Sequence, residues 1–129
     1  MRTILVVDDM AVFREPIEAC LRSRGFNTLA AANGADALAA CRRAWPDLIL
    51  LDLAMPDMDG LKFLKLTHPQ RRQNGTVVII LTALAQRDCV VRCAGLGISD
   101  YLLKSRFSLK DLLDRIHLRL KLEPQKLSA

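Results

Sequence analysis

Aromatic residues make up only 5% of this 129-residue chain, with one Trp and one Tyr. In the basic half, residues 61–129, the aromatics are Phe63, Tyr101 and Phe107, and no basic run exceeds Arg71-Arg72. A surface interleaving cations with stacking rings, as direct nucleic-acid binding needs, is not expected. Long apolar runs are also lacking. Ile4–Val7, Leu48–Leu51 and Val77–Leu81 are four or five residues long, against about 18 for a membrane span. The start, Met1-Arg2-Thr3 with four apolar residues and then Asp8-Asp9, is too short for a secretory apolar region. The expectation is a soluble, unexported, cytoplasmic chain with no membrane contact, in which the sequon Asn74-Gly75-Thr76 marks only a turn. The cysteines, Cys20, Cys41, Cys89 and Cys93, form no C-x-x-C pair, and no histidine sits at metal spacing to them. Cys89 and Cys93 share a helix face but lack third and fourth ligands. Free thiols in a reducing compartment are expected. There is no internal repeat and no low-complexity segment.

What is present is one domain's worth of chain, 51% hydrophobic and 26% charged. The net charge of +5 is unevenly spread. Residues 1–60 hold six basic and nine acidic side chains, and residues 61–129 hold thirteen basic and five acidic ones. With so few rings, the basic half reads as a solvated or protein-facing surface.

Short β-like runs alternate with amphipathic segments. Thr3–Val7 is a buried strand ended by Asp8-Asp9. Residues 11–24 read as a helix, with Gly25 as its stop and Pro16 giving a slight kink or a late start. Residues 26–31 are a second strand, and Asn33-Gly34 opens a helix to about Ala44. Leu48–Leu51 is a third strand, ended by Asp52. The loop Ala54-Met55-Pro56-Asp57-Met58-Asp59-Gly60 leads to a helix at residues 61–67, which His68-Pro69 is expected to end. Residues 77–81 are the fourth strand, followed by Thr82. Residues 86–96 are helical, and residues 101–103 are a fifth strand ended by Lys104. Ser108 caps the last helix, with Asp111 three residues on, and Leu109, Leu112, Leu113, Ile116 and Leu120 form its apolar stripe.

Five strand–helix units with near-continuous apolar strands imply an α/β fold. The expected form is a doubly wound, five-stranded parallel sheet of order 2-1-3-4-5 with helices on both faces, flavodoxin-like in architecture. Sites in such sheets lie beyond the carboxyl ends of the strands, at the switch between the first and third. The residues there are Asp8, Asp9, Asp52, Thr82 and Lys104. Converging carboxylates repel one another, and protonation or a cation relieves that. A hard divalent ion such as Mg²⁺ suits a carboxylate pocket. A hydroxyl and an ammonium beside it suit phosphoryl oxygens. Singly, each residue has an ordinary reading: a turn-forming aspartate, a solvated lysine, a strand-end threonine. Their joint placement at strand ends is what those readings leave unexplained. The constellation reads as metal-assisted phosphoryl transfer onto, or hydrolysis near, a carboxylate.

These residues resemble a family. Asp8-Asp9, the run Asp52-Leu53-Ala54-Met55-Pro56-Asp57-Met58-Asp59-Gly60, Thr82-Ala83 and Tyr101-Leu102-Leu103-Lys104 look like a receiver domain of bacterial two-component response regulators. The resemblance covers residues 2–122 and is to the chemotaxis-regulator-like, single-domain members. It implies a receiver domain at residues 1–122, with residues 123–129 a polar tail or the start of a linker. It also implies that Asp52 accepts a phosphoryl group from a histidine kinase or phosphotransfer protein. Asp9, Asp52 and the Ala54 backbone carbonyl would hold Mg²⁺ (or Mn²⁺), with Asp8 acting through water. Thr82 and Lys104 would hold phosphoryl oxygens, and Ala83 would leave room for the donor. Thr82 and Tyr101 would form the switch. The only catalysis implied is the chain's own aspartyl phosphorylation and dephosphorylation. The partner face would be the fourth helix, fifth strand and fifth helix, carrying Arg87, Arg92, Arg106, Lys110, Arg115 and Arg119. Its occupant would be a downstream protein or a second copy of the chain.

Rivals fare worse. An FMN carrier of the same fold needs a Ser/Thr/Gly-rich phosphate loop where Asp8-Asp9 stands. An aspartate-nucleophile phosphatase needs a D-x-D that is absent at Asp8 and Asp52. Gly95-Leu96-Gly97 lacks the third glycine of a dinucleotide loop. A pseudo-receiver conflicts with five intact site residues. The chain reads as a stand-alone receiver, the alternative being the first domain of a longer regulator. One departure from the family pattern is Lys104-Ser105-Arg106-Phe107, where Lys-Pro-Phe is usual. With no proline and one extra residue, the Lys104–Ser105 bond is expected to be trans, Arg106 to face outward and Phe107 to dock under the last helix.

Overall fold

A computed structural model describes residues 2–55, 60–84 and 87–122, with only the backbone at 87–89. The elements are β1 (Thr3–Val7), α1 (Ala11–Ser23), β2 (Asn27–Ala31), α2 (Gly34–Arg43), β3 (Leu48–Leu51), α3 (Gly60–Asn74), β4 (Val77–Thr82), α4 (Arg87–Ala94), β5 (Asp100–Leu103) and α5 (Leu109–Leu120). All strand pairs are parallel, in the order β2-β1-β3-β4-β5. β1, β3 and most of β4 are buried on both faces. That explains their unbroken apolar runs.

Two cores flank the sheet. Ile17 and Leu21 of α1 and Leu112, Ile116 and Leu120 of α5 pack against Ile4, Val6, Leu48 and Leu50. Ala37 and Cys41 of α2, Phe63 and Leu64 of α3 and Cys93 of α4 cover Leu5, Val7, Ile49 and Leu51. Alternate residues of each strand face opposite ways, so each core takes every second side chain. The predicted cap at Ser108 forms, its hydroxyl accepting from the Asp111 N–H at 3.1 Å, and Asn33 caps α2 through the Asp36 N–H at 2.8 Å.

Of the two proline expectations, one is narrowed and one corrected. α1 starts at Ala11, without the late start. Pro16 forfeits only a bond to the Val12 carbonyl, on a side where Val12 is exposed to solvent. α3 does not stop at His68-Pro69 but runs on to Asn74. A mid-helix proline costs about 3 kcal/mol. Beyond it, buried Arg71 donates to Thr67 Oγ1 (3.0 Å) and to the carbonyls of Leu64 (3.0 Å), Leu96 (2.8 Å) and Gly97 (3.3 Å). Hydrogen bonds from a charged group contribute about 1.5–3 kcal/mol each. Together they outweigh the proline and carry the helix through it. Gly97, at φ +74°, sits so close that a Cβ would lie 3.1 Å from His68 Nε2. The absence of a side chain lets its carbonyl reach Arg71.

Candidate functional site

Parallel pairing sets the ends of β1, β3 and β4 side by side, with Val7 opposite Leu51 and Leu51 opposite Ile80. Asp8 and Asp52, next after Val7 and Leu51, and Thr82, two past Ile80, therefore enter one crevice. The Asp52 N–H donates to the Val7 carbonyl at 3.0 Å and the Lys104 N–H to the Thr82 carbonyl at 2.8 Å. These bonds extend the sheet by one rung and fix the backbone beneath three of the predicted side chains, Asp52, Thr82 and Lys104.

Asp8 and Asp52 are each 4% exposed, Thr82 is fully buried and Asp9 faces solvent. Asp52 Oδ1 accepts from Thr82 Oγ1 at 2.7 Å and from the Ala54 N–H at 3.0 Å. Asp52 Oδ2 accepts from Lys104 Nζ at 3.0 Å. The same ammonium lies 2.7 Å from Asp8 Oδ2, and Asp8 Oδ1 accepts from the Met10 N–H at 2.9 Å. Burial alone would push the Lys104 ammonium down. Its hydrogen bonds to Asp8 and Asp52, with their charges, more than offset this and hold it above its ordinary value. One carboxylate oxygen from each of Asp8, Asp9 and Asp52 lies within 4.8 Å of the others. One ammonium against three carboxylates leaves an anionic surplus made of hard oxygen donors, a set that fits Mg²⁺ or Mn²⁺.

The other predicted residues fall around this crevice. Ala54 is exposed at its rim, and Ala83 is exposed just past Thr82. The Tyr101 ring is half-buried against the α2–α4 core and its hydroxyl donates to the Leu84 carbonyl at 2.6 Å, tying β5 to the segment after Thr82. Pro56, Asp57, Met58, Asp59 and Gln86, the tail 123–129 and the side chains of Arg87 and Cys89 lie outside the described residues. Gly60 explains the glycine that ends the loop. A Cβ there would stand 2.7 Å from Leu53 Cα and 3.0 Å from the Asp52 carbonyl oxygen, so α3 rests directly on the Asp52–Leu53 backbone. Every peptide bond among the described residues is trans, that at Lys104–Ser105 included. Arg106 is exposed, and Phe107 packs with α1 and α5.

The α4–β5–α5 face, where a partner is expected, is less positive than its composition implied. Arg115 Nη1 lies 3.1 Å and Arg119 Nε 2.6 Å from the Asp100 carboxylate, and Lys110 pairs with Asp114 at 3.0 Å. Two residues at the site are not singled out by sequence reasoning. Arg14 Nη1 donates to the Asp8 carbonyl at 2.6 Å, and the Phe13 ring faces Lys104 Nζ at 4.4 Å. The available signal is only that Phe13, Ile17 and Leu21 form one apolar stripe on α1, which reads as core.

The fold and crevice define a class: a doubly wound α/β domain with a hydrogen-bonded aspartate at the third strand end, flanked by acids, a hydroxyl and a lysine. The response regulator receiver domain family matches residues 4–117, and the chain belongs to that family. The "Probable transcriptional regulatory protein TcrX" of Mycobacterium tuberculosis is 42% identical over 118 residues, which are 88% of this chain and 47% of that protein. The DNA-binding response regulator MtrA of the same species is 38% identical over 118 residues, 92% of this chain and 50% of that protein. The chain thus spans about half the length of these relatives. Among solved structures, a CheY-like receiver domain protein from Methanospirillum hungatei superposes with a TM-score of 0.88 at 28% identity, covering 94% of each chain. The chain is a two-component receiver domain with the expected sheet order. No helix among the described residues is long and apolar enough to cross a membrane.

Proposed function

We propose that this domain is a phosphorylation switch in which Asp52 takes a phosphoryl group from the phosphohistidine of a kinase or phosphotransfer protein. The observation that carries this is the environment of the Asp52 carboxylate. It is only 4% exposed, yet hydrogen-bonded to Thr82 and Lys104 and set among further acids at a sheet edge. One carboxylate oxygen attacks phosphorus while the bond to the donor nitrogen breaks. Asp8, Asp9 and Asp52 are the residues that would hold Mg²⁺ or Mn²⁺, with the Ala54 carbonyl as the family suggests. The ion would supply neutralisation of charge on the transferring group. Thr82 Oγ and Lys104 Nζ, now on Asp52, exchange that carboxylate for phosphoryl oxygens.

Phosphorylation replaces the singly charged Asp52 carboxylate by a nearly dianionic acyl phosphate, a net gain of about one negative charge with three new acceptor oxygens. It shifts the domain's population only through contacts it makes differently in two states. Thr82 and the Tyr101–Leu84 bond form the route by which the site reaches β5 and α4. The only chemistry this reading assigns is the domain's own aspartyl phosphorylation and dephosphorylation, in the cytoplasm. Output passes by protein contact, to a downstream partner or a second copy, through the α4–β5–α5 face. TcrX is named as a probable transcriptional regulatory protein and MtrA as a DNA-binding response regulator; an output of that kind would be governed by the same switch. Intact-mass measurement with acetyl phosphate tests the reading. One phosphoryl group on the wild type with Mg²⁺, and none on Asp52→Asn or without divalent metal, supports it. Equal incorporation in both proteins overturns it.

A further inference from the structure

We propose that Phe13 is the positioning residue for Lys104, with Phe107 as its prop. This rests on the reading of Lys104 as a phosphoryl-binding group. The lysine side chain is only 10% exposed. Its ammonium spends two donors on Asp8 Oδ2 at 2.7 Å and Asp52 Oδ2 at 3.0 Å. On its remaining side stands the Phe13 ring, with its centroid 4.4 Å from Nζ. An aromatic face attracts an ammonium through its quadrupole, most strongly where water is excluded. It carries no formal charge, so it holds the lysine without cancelling any of the carboxylate surplus. An aliphatic side chain there would leave that side of the ammonium with neither water nor partner.

The ring is itself held. Phe13 lies in the first turn of α1, and the Phe107 ring packs on it at 5.5 Å between centroids and 51° between planes. Phe107 reaches it because the segment after β5 is wider than the family's Lys-Pro-Phe. The Arg106 N–H turns back onto the Leu103 carbonyl at 3.0 Å, which swings Arg106 outward and Phe107 in. The chain lacks the proline that would stiffen this segment, and a ring-on-ring contact from the opposite side of the site takes its place. Lys104 is thereby gripped at its root by the Thr82 carbonyl and at its tip by two carboxylates and a ring.

Phe13→Leu keeps an apolar side chain and loses the ring. It should lower the maximal rate of phosphoryl uptake from acetyl phosphate about fivefold, the size of a partly desolvated cation–π contact, with little change in the donor concentration for half-maximal rate. Phe13→Tyr, which keeps a π face, should restore the rate. By NMR, the Lys104 ε-methylene protons of the wild type should carry a ring-current shift that Phe13→Leu abolishes and Phe13→Tyr retains. Should Phe13→Leu fail to fold, fluorinated phenylalanines at position 13 keep the shape while draining the ring's electron density, and the rate should fall in step with fluorination. A Phe13→Leu rate equal to wild type, an unchanged Lys104 shift, or indifference to fluorination overturns the proposal. If the wild type takes up no phosphoryl group, the functional reading fails, and the NMR arm still decides whether Phe13 holds Lys104.

Discussion

Two buried charged groups in this domain are satisfied in opposite ways. At the sheet edge, Asp8 and Asp52 share one ammonium, and Asp9 stands open beside them. Under α3, Arg71 is 2% exposed and, among the described residues, meets no carboxylate. Its partners are the Thr67 hydroxyl and three backbone carbonyls. Even the nearby thiol stays neutral: burial pushes Cys41 up to about 11, although the Arg71 charge alone would lower it. The edge keeps a charge imbalance next to solvent, where a cation can enter and leave. The arginine is enclosed by fixed dipoles from α3 and the residues after α4, with no freedom to exchange partners. An unbalanced, accessible charge marks a site, whereas a fully hydrogen-bonded, sealed one marks a joint.

Breaking the joint should have the largest effect. Arg71→Met removes the donors from the buried Leu64 carbonyl and from the part-buried carbonyls of Leu96 and Gly97. At about 1–3 kcal/mol for each unsatisfied group, the loss should be about 3 kcal/mol or more, read as a lowered urea midpoint. Arg71→Lys should recover little, since one ammonium cannot span the fork. An Arg71→Met midpoint within error of wild type would show that the joint contributes nothing.

The edge should respond to metal instead. A divalent ion binds only where the carboxylates are gathered, so it stabilises the folded state by mass action, by about 2.7 kcal/mol at a hundredfold excess over its dissociation constant. Mg²⁺ should therefore raise the melting temperature of wild type and of Phe13→Tyr alike, while Asp9→Ala should lose most of the response. A melting temperature indifferent to millimolar Mg²⁺ would count against a formed pocket.

Both regions bear on what can be read from residues alone. The sheet order is legible because β1, β3 and β4 are buried on both faces, and a continuous apolar run of four or five residues fits a central parallel strand better than any half-exposed element. The edge is legible because residues following parallel strands must converge, so Asp8, Asp9, Asp52, Thr82 and Lys104 need no knowledge of side-chain packing. Arg71 is not legible. Its partners are carbonyls 7, 25 and 26 residues away, and backbone acceptors leave no mark in a sequence. The same omission hides the true end of α3, since Pro69 is visible and the bonds that overrule it are not. Phe13 fails for a related reason: its apolar spacing fits a core stripe, and only the lysine from a distant strand gives its ring a second use.

The neutral state of Cys41 sharpens the comparison by pH. Its folded value of about 11 lies above the ordinary thiol value of 9.0. Below 9 both states hold the proton and the thiol adds no pH dependence. Between 9 and 11 the unfolded chain has released a proton that the folded chain keeps, so stability falls as pH rises, then levels off. Cys41→Ala should flatten that part of the wild-type curve. At neutral pH, iodoacetamide should leave Cys41 unmodified while half-exposed Cys20 reacts. Rapid alkylation of Cys41 in the native protein would mean that Arg71 has a thiolate partner after all.

The smallest effect belongs to the open side of the edge, in the lifetime of the phosphoryl group. The residues two past Asp52 and two past Thr82 are Ala54, exposed, and Leu84, half-buried against the α2–α4 core with its carbonyl held by Tyr101. Neither side chain can accept a proton from water or orient it toward phosphorus, so hydrolysis has no general base from these positions. Self-dephosphorylation should therefore be slow. Leu84→Glu places a carboxylate beside the path of an attacking water while leaving the backbone carbonyl for Tyr101. Ala54→Asn adds an amide at the opposite rim. Each should change the decay rate of the phosphorylated protein by several-fold, well short of the factor of about 10²–10⁴ that a well-placed general base supplies. Phosphate release followed by intact mass after donor removal measures this directly. Decay rates unchanged in both variants would mean that water reaches the phosphoryl group by a route these two residues do not border.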